Sequence, residues 1–467
     1  MLKKFVEYAI GNFLALLLGF ISSPIITRII APEEMGKFSL FNTMTSLLFL
    51  VIMVGTDQAY VRYYNGEDNE GKSGLLHLCV GISLVAGIIV SMVLIGLYPQ
   101  VSVYIIGEKS KIVVFLLIAN IFSNILQRFA ILEVRMSMKA KLYSAMNVWH
   151  KLSYILLVFA FYCYYKNNGI VLMLATVGAN ILCFMVCMVV DWEAWSKGKI
   201  VEVSVKLQEL LTYGVPFVFV NAVNWIFEYM DRISIRQYCD FTEVGIYSAA
   251  STIVALLTAC QNAFSAFWIP VAYSKYENDS DCKEFFKKMN RVVSFGMLIV
   301  AICMVGGKDF IIFLLGSDYR RAMYIFPFLT FMPVMYTISE TTVLGINFQK
   351  KTYMHIVVAG VSATVNLIGN SILVPIYGAK GAAISTGASY IVLFLVRTIV
   401  SRKLCKVDFE LGHLFIGLTL LCVLTVYASF NPIDIITIIM SVSAIVLVCF
   451  MYKDVLKDLV EKWKRKG

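Results

Sequence analysis

Residues 75–98 read LLHLCVGISLVAGIIVSMVLIGLY, a run without a single Asp, Glu, Lys or Arg. A helix needs about 20 mainly apolar residues to cross the hydrocarbon core of a bilayer. Comparable runs recur on either side, near residues 8–30, 38–60, 112–133, 142–165, 169–190, 213–236, 243–268, 292–315, 322–346, 354–376, 380–401, 411–430 and 432–452. Composition agrees. Of the 467 residues, 59% are hydrophobic and 15% charged, against about 25% charged in a soluble domain. So little polar surface cannot cover a water-soluble fold of this length. The chain is therefore expected to be an all-α integral membrane protein of about fourteen transmembrane helices, with no soluble domain of any size.

Lys3 and Lys4 precede the first apolar run. That run is longer than the apolar region of a signal peptide and no small-x-small cleavage site follows it, so it reads as a retained first helix. The net charge of +10 follows from loop asymmetry. With both termini inside, the cytoplasmic loops and tails hold roughly three times as many Lys and Arg as the external loops. The inner set includes Lys139, Lys141, Lys197, Lys199, Lys206, Lys283, Lys287, Lys288, Arg402, Lys403 and Lys406, with Lys462, Lys464, Arg465 and Lys466 in the tail. This explains the basic balance without nucleic acid. Cys183 and Cys187 share a helix face, but the other ligands of a zinc site are missing around them. The cysteines read as small apolar packing residues, and no disulfide framework, metal or cofactor is expected.

An internal repeat organises the runs. Glu34-Met35-Gly36-Lys37-Phe38-Ser39 and Glu243-Val244-Gly245-Ile246-Tyr247-Ser248 share the pattern E-x-G-x-aromatic-S at an offset of 209. Thr176-Val177-Gly178-Ala179 matches Ser385-Thr386-Gly387-Ala388 at the same offset, and Lys141-Leu142-Tyr143 matches Lys351-Thr352-Tyr353 one residue later. Each repeat holds six runs, an even number, so the two copies have the same orientation in the membrane. Two parallel six-helix halves suit a transporter with a site near the midplane. The expected organisation is a lobe at 1–209, a second at 210–403, and two further helices with a basic cytoplasmic tail at 404–467. The tail, 453–466, reads as an amphipathic helix on the inner leaflet.

Charged residues inside the runs cost about 2.5–3.5 kcal/mol each on insertion scales, so those that remain face a partner or a wet cavity. They are Arg28, Asp57, Arg62, Arg128, Glu133, Lys151, Glu228, Asp231, Arg232, Glu340 and Arg397, with His150 beside Lys151. Asp57 has Arg62 as its nearest candidate partner, and Arg62 and Arg397 stand near cytoplasmic ends where they could snorkel. Arg128 and Glu133 stand near the start of a basic loop, where an interfacial position and a place facing the cavity are both open. Glu228 lies four residues before Arg232, the spacing of a helical ion pair. Arg28 follows Pro24 and has no nearby acid on its face. Most deep candidates without an obvious partner are cations. A cavity lined by Arg and Lys suits an anionic cargo such as phosphate or pyrophosphate. Glu340, with Asp57, Glu228 and Asp231, forms the acidic set for charge pairing or for coupling to H⁺ or Na⁺.

The order of short motifs carries a resemblance. Pro24-x-x-x-Arg28-x-x-x-Pro32-Glu33-Glu34-x-Gly36-x-Phe38-Ser39 is followed by Gly55-x-Asp57-x-x-x-x-Arg62-Tyr63-Tyr64. Later come Tyr213-Gly214-x-Pro216, Asp231-Arg232, Gly245-x-Tyr247-Ser248 and Trp268-x-Pro270. This series resembles the Wzx-type oligosaccharide flippases, the polysaccharide transport proteins of the multidrug/oligosaccharidyl-lipid/polysaccharide (MOP) superfamily, and weakens after about residue 402.

The resemblance implies a MATE-like, V-shaped pair of six-helix lobes around a central cationic cavity. It implies a flippase for undecaprenyl-pyrophosphate-linked oligosaccharides in the bacterial cytoplasmic membrane, serving O-antigen, capsule or exopolysaccharide synthesis. Arg28 and Arg232 are then the first positions expected at the cargo head group, with Lys151, Arg62, Arg128 and Arg397 as the further candidates for the cationic cavity. Membrane lipids, and possible partners among the polysaccharide polymerase and chain-length proteins, follow from the same comparison. Three alternatives stay open: a cation-coupled multidrug antiporter of the same superfamily, a non-transporting subunit of a polysaccharide assembly complex, and a membrane enzyme. The last would need a catalytic constellation and a sizeable external loop, and the sequence shows neither.

Overall fold

Helices follow the apolar runs throughout a computed structural model that describes residues 2–196, 203–278, 282–349, 351, 353–405 and 407–464. No strand occurs among these residues. Lys197, Lys199, Lys406, Arg465 and Lys466 of the basic loops and tail, and Thr352 of the third repeat match, lie outside the described residues. The main helices of the first half are α1 (Leu2–Ile29), α2 (Pro32–Met53), α3 (Thr56–Tyr63), α4 (Asn69–Gly96), α5 (Tyr98–Ile106), α6 (Lys111–Met136), α7 (Ala140–Tyr165), α8 (Ile170–Val190) and α9 (Trp192–Ser196). Then come α10 (Leu207–Tyr238), α11 (Phe241–Asn278), α12 (Cys282–Gly306), α13 (Lys308–Ile312), α14 (Phe326–Leu329), α15 (Phe331–Thr342) and α16 (Leu344–Phe348). The last are α17 (Met354–Tyr377), α18 (Ala379–Leu404), α19 (Gly412–Phe430), α20 (Ile435–Met451) and α21 (Lys453–Lys464).

Among the described residues, ten helices are long and apolar enough to cross a bilayer. An eleventh is reached if Ser317–Tyr324 and Phe326–Thr342, bent by 57°, count as one broken span. Pro327 and Pro333 fall in that segment, where each removes a backbone donor. Reaching fourteen would also require α7, α20 and the apolar part of α1 to cross. Helix α7 is long enough, but its polar centre at Asn147, His150 and Lys151 lowers its hydropathy.

Other runs also differ from their sequence reading. The run at 38–60 is two helices, because Val54 (φ 47°) and Gly55 (φ 74°) both adopt the left-handed conformation and stop α2. Gly55 is required there twice over, since a Cβ on it would also collide with the carbonyl oxygen of Gly214. The run at 243–268 belongs to a helix of 38 residues, Phe241–Asn278, about 57 Å long at 1.5 Å per residue. It continues past the apolar stretch into what reads as a loop.

Helix α4 shows how the bilayer acts as solvent. Val85, Ile88, Ile89, Met92 and Val93 share one exposed stripe, while Leu75, Leu76, Cys79 and Val80 are buried against other helices. An exposed apolar face of this extent marks a surface that meets lipid.

The chain divides into two compact units, residues 1–232 and 233–467, with the division inside α10. In the first, Phe41, Tyr60, Leu117, Ile121 and Phe129 centre the largest core. Cys183 and Cys187 pack with Ala130, Val134 and Met146. In the second, Leu298, Ile302, Phe331, Phe394 and Leu421 do the same. The basic tail forms α21, which is tied to α12 by ion pairs from Arg291 to Asp454 (3.2 Å) and from Lys288 to Asp458.

Candidate functional site

Helix α3 hangs from the Val54–Gly55 break and places Asp57 inward. Its carboxylate receives Arg128 Nη2 of α6 at 2.8 Å and the main-chain N–H of Gln58 at 3.0 Å. The expected pairing of Asp57 with Arg62 is not formed. Five helical residues separate the two by about 140°, so they leave α3 in different directions. Arg62 is exposed, 5.9 Å from the Tyr63 ring, and lines a cavity of about 370 Å³ with Asn65, Gly66, Glu67, Ser204 and Val205.

The same region contains a cluster that the sequence did not announce. Glu133, 5% exposed, accepts hydrogen bonds from the hydroxyls of Tyr60 and, at 3.1 Å, Tyr64. It is therefore buried in the first unit. Tyr64 stands in the motif with Arg62, but Glu133 is 69 residues away in sequence. The Gly55 and Tyr213-Gly214 motifs also meet. Their glycine backbones touch, and the Tyr63 and Tyr213 rings lie edge to face at 5.9 Å.

Arg232, near the end of the first unit, donates to the main-chain carbonyl of Glu228 at 2.8 Å and lies 5.3 Å from the Tyr229 ring. The expected contact with Glu228 is thus made to its backbone, and the Glu228 side chain stays exposed. Tyr229 stacks on Trp225, whose indole N–H donates to Ser46 of α2 at 2.9 Å. Trp225, Tyr229 and Arg232 form one face of α10. The neighbouring Asp231 is buried.

Arg28 is exposed in the last turn of α1. Lys151 is exposed midway along α7, and no described carboxylate lies within ion-pair reach of it. It continues a polar stripe with Ser144 and Asn147 at positions i, i+3 and i+7, whereas Leu152, Leu156 and Phe159 form the exposed apolar stripe of the same helix. His150 points elsewhere. Its Nε2 meets Asn180 Oδ1 at 2.9 Å, and the Asn180 amide donates onward to Asn120 and Ser123.

In the second unit, Arg397 does not snorkel. It is buried and pairs with Glu340 at 3.0 Å, donates to Ser339 Oγ at 2.6 Å, and stacks 4.8 Å from the Tyr336 ring. Trp268 closes the site by donating to the Glu340 carbonyl at 3.0 Å. A buried, fully hydrogen-bonded pair is neutral as a unit. The charges of Arg128 and Arg397 are therefore committed to Asp57 and Glu340, while Arg28, Arg62, Lys151 and Arg232 retain some exposure.

These helices and their connections recur in known proteins. The chain is 21% identical over 413 residues to the capsular polysaccharide biosynthesis protein CapF of Staphylococcus aureus, covering 85% of this chain and 98% of that protein. Its fold matches that of the lipid II flippase MurJ in an inward closed conformation, with a TM-score of 0.73 and 16% identity over 97% of this chain and 100% of that one. An outward-facing multidrug resistance MATE family transporter of the MOP superfamily matches with a TM-score of 0.56 and 15% identity, over 86% of this chain and 95% of that one. The model of the family described as polysaccharide biosynthesis protein spans residues 1–277. The chain is thus a multi-span helical membrane protein with the fold of the MOP superfamily, and it belongs to the polysaccharide biosynthesis protein family.

Proposed function

We propose that the protein is a flippase that carries undecaprenyl-pyrophosphate-linked oligosaccharide repeat units from the inner to the outer leaflet of the bacterial cytoplasmic membrane, with both termini cytoplasmic. Family membership and the fold shared with a lipid II flippase support a lipid-linked cargo. The observation that carries the reading is Lys151, exposed midway along α7, a helix proposed to span the bilayer, on a polar stripe and outside ion-pair reach of any described carboxylate. A lone cation at that depth is costly against lipid and is usually found facing a water-filled cavity. A cationic surface there suits a pyrophosphate head group. Arg28, Arg62 and Arg232 are the further cations proposed to meet it.

The carrier must enclose the head group because hydroxyls and charges lose their hydrogen bonds in hydrocarbon. Alternating access provides that enclosure, with the prenyl tail left in the bilayer. An inside-negative potential would help, by about 2.3 kcal/mol per negative charge per 100 mV. The competing antiporter reading needs a carboxylate available for coupling; Glu340 is held by Arg397 and Asp57 by Arg128, which leaves the exposed Glu228 as the residue on which that reading would rest.

The test is complementation. A strain lacking the gene is supplied with wild type, Lys151→Met, Arg28→Ala or Arg232→Ala, and each protein is quantified in the membrane fraction. The expected result is loss of surface polymer with accumulation of lipid-linked repeat units on the cytoplasmic side, rescued by wild type but not by Lys151→Met. Normal polymer in the deletion strain would overturn the cargo. Full rescue by every cation variant would overturn the site.

A further inference from the structure

Glu243, Arg321, Tyr324, Tyr377 and Lys380, with Ile246 and Ile325, line a cavity of about 90 Å³ at one end of the second unit. Three cations meet around it. Arg321 pairs with Glu243 at 2.5 Å, and Lys308, fully buried, pairs with Asp309 at 2.9 Å while lying 5.1 Å from the Tyr324 ring. Lys380 is the third. Its ammonium lies 5.2 Å from the centre of the Tyr324 ring and 4.2 Å from that of Phe430, and no described carboxylate is within ion-pair reach. The aromatic faces attract it, but they supply no oxygen acceptor for its three N–H groups. Two carboxylates thus face three cations, and the surplus charge sits at Lys380 beside open space.

The corresponding place in the first unit is built differently. There, among the described residues, Glu34 pairs with one cation, Lys37, which also pairs with Glu33. The surplus of positive charge is a feature of the second unit and not of a fold that merely needs its helix ends tied.

We propose that this cavity is a binding site for a phosphate-type anion, with Lys380 and Arg321 as its ligands and the Tyr324 and Tyr377 rings as its walls. One water occupies roughly 10–15 Å³ of such space, so the cavity takes a group the size of a phosphate. Arg321 is exposed at the rim, where its planar fork can bind two phosphate oxygens while Lys380 acts as a point charge. The phosphate could belong to the head group of a membrane lipid or to a soluble anion. The site is built from residues of the second unit, whereas Lys151 belongs to the first, and it does not depend on the cargo proposed above.

The test uses the full-length protein in phosphatidylcholine nanodiscs and follows its thermal unfolding midpoint. The probes are inorganic pyrophosphate added to the buffer at matched ionic strength, and phosphatidylglycerol included in the disc. A ligand that binds only the folded state raises the midpoint in a saturable way. The expected result is such a rise with at least one probe. Pyrophosphate acting alone in phosphatidylcholine discs identifies a soluble anion as sufficient, and a response confined to phosphatidylglycerol discs identifies a lipid head group. Lys380→Met removes the rise, Arg321→Gln weakens apparent affinity about tenfold, the scale of one charge-assisted hydrogen bond, and Lys109→Met, an exposed cation elsewhere, leaves it intact. Should Lys380→Met fail to fold, Arg321→Gln decides the question. No saturable rise with either probe, or a wild-type response in the variants, would overturn the proposal.

Discussion

Glu34 and Glu243 make the same contact in their respective units: Glu34 accepts a hydrogen bond from the main-chain N–H of Gly169 at 2.6 Å, and Glu243 from that of Ala379 at 3.1 Å. The partners are 135 and 136 residues downstream, and each stands at the start of a long helix, α8 or α18. A carboxylate there satisfies a donor that the helix cannot satisfy itself and complements the positive end of its dipole. In each unit the glutamate at the start of its E-x-G motif therefore closes a large segment of chain.

This contact gives the first prediction. Glu34→Ala should destabilise the first unit by about 1.5–3 kcal/mol, the range for a hydrogen bond to a charged group. Glu34→Gln should cost less, because its amide oxygen still accepts from Gly169. Thermal unfolding of the purified protein, followed with Glu243→Ala in parallel, checks both. Equal behaviour of Glu34→Ala and wild type would show that water replaces the carboxylate.

The glycine contact between α3 and α10 gives the second. A Cβ on Gly214 would lie 2.8 Å from the Gly55 carbonyl oxygen, with backbone rather than flexible side chain in the way. Gly214→Ala must push the two backbones apart, and Gly55→Ala must also tolerate φ 74°. Both should lower the amount of folded protein recovered from membranes, Gly55→Ala more severely. The comparison is read by size-exclusion profiles of the solubilised variants.

The buried pair in the second unit gives the third. Removing one partner strands a charge, which costs about 3–5 kcal/mol, whereas replacing both can be neutral. Glu340→Gln and Arg397→Met should each destabilise strongly, and the double variant should recover most of the loss. If Glu340 instead coupled transport to an ion, the double variant would fold but stay inactive in complementation. The two roles separate in that variant alone.

The apolar runs were legible because lipid imposes its own composition on a helix regardless of what the helix packs against, as in residues 75–98. The E-x-G motifs were legible as a short pattern repeated at an offset of 209, although the partners of their glutamates, 135 and 136 residues away, were not. Partners across the bundle were not. Asp57 and Arg128 are 71 residues apart, and Glu340 and Arg397 are 57. A hydropathy pattern sets the depth of such residues but not the rotation of their helices. The Val54–Gly55 break was hidden because nothing in a valine marks positive φ. The end of α11 was hidden because a helix that leaves the membrane carries the polar residues of a loop.

Lys151 gives the last prediction, and its two readouts have opposite signs. If the side chain faces a water-filled cavity as a binding group, Lys151→Met removes a cation from the middle of a membrane helix. Insertion should become more favourable by up to about 3 kcal/mol, and the amount of protein in the membrane should hold or rise. Transport should fall at the same time, because the anionic head group loses an attraction that a thioether cannot replace. Lys151→Arg keeps the charge and should retain much of the activity. A lysine that merely snorkels beside lipid predicts something else: its methionine variant would gain stability and transport as well as wild type. Quantifying the variant in the membrane fraction alongside surface polymer distinguishes the two, since only a binding role joins a more stable protein to a weaker carrier.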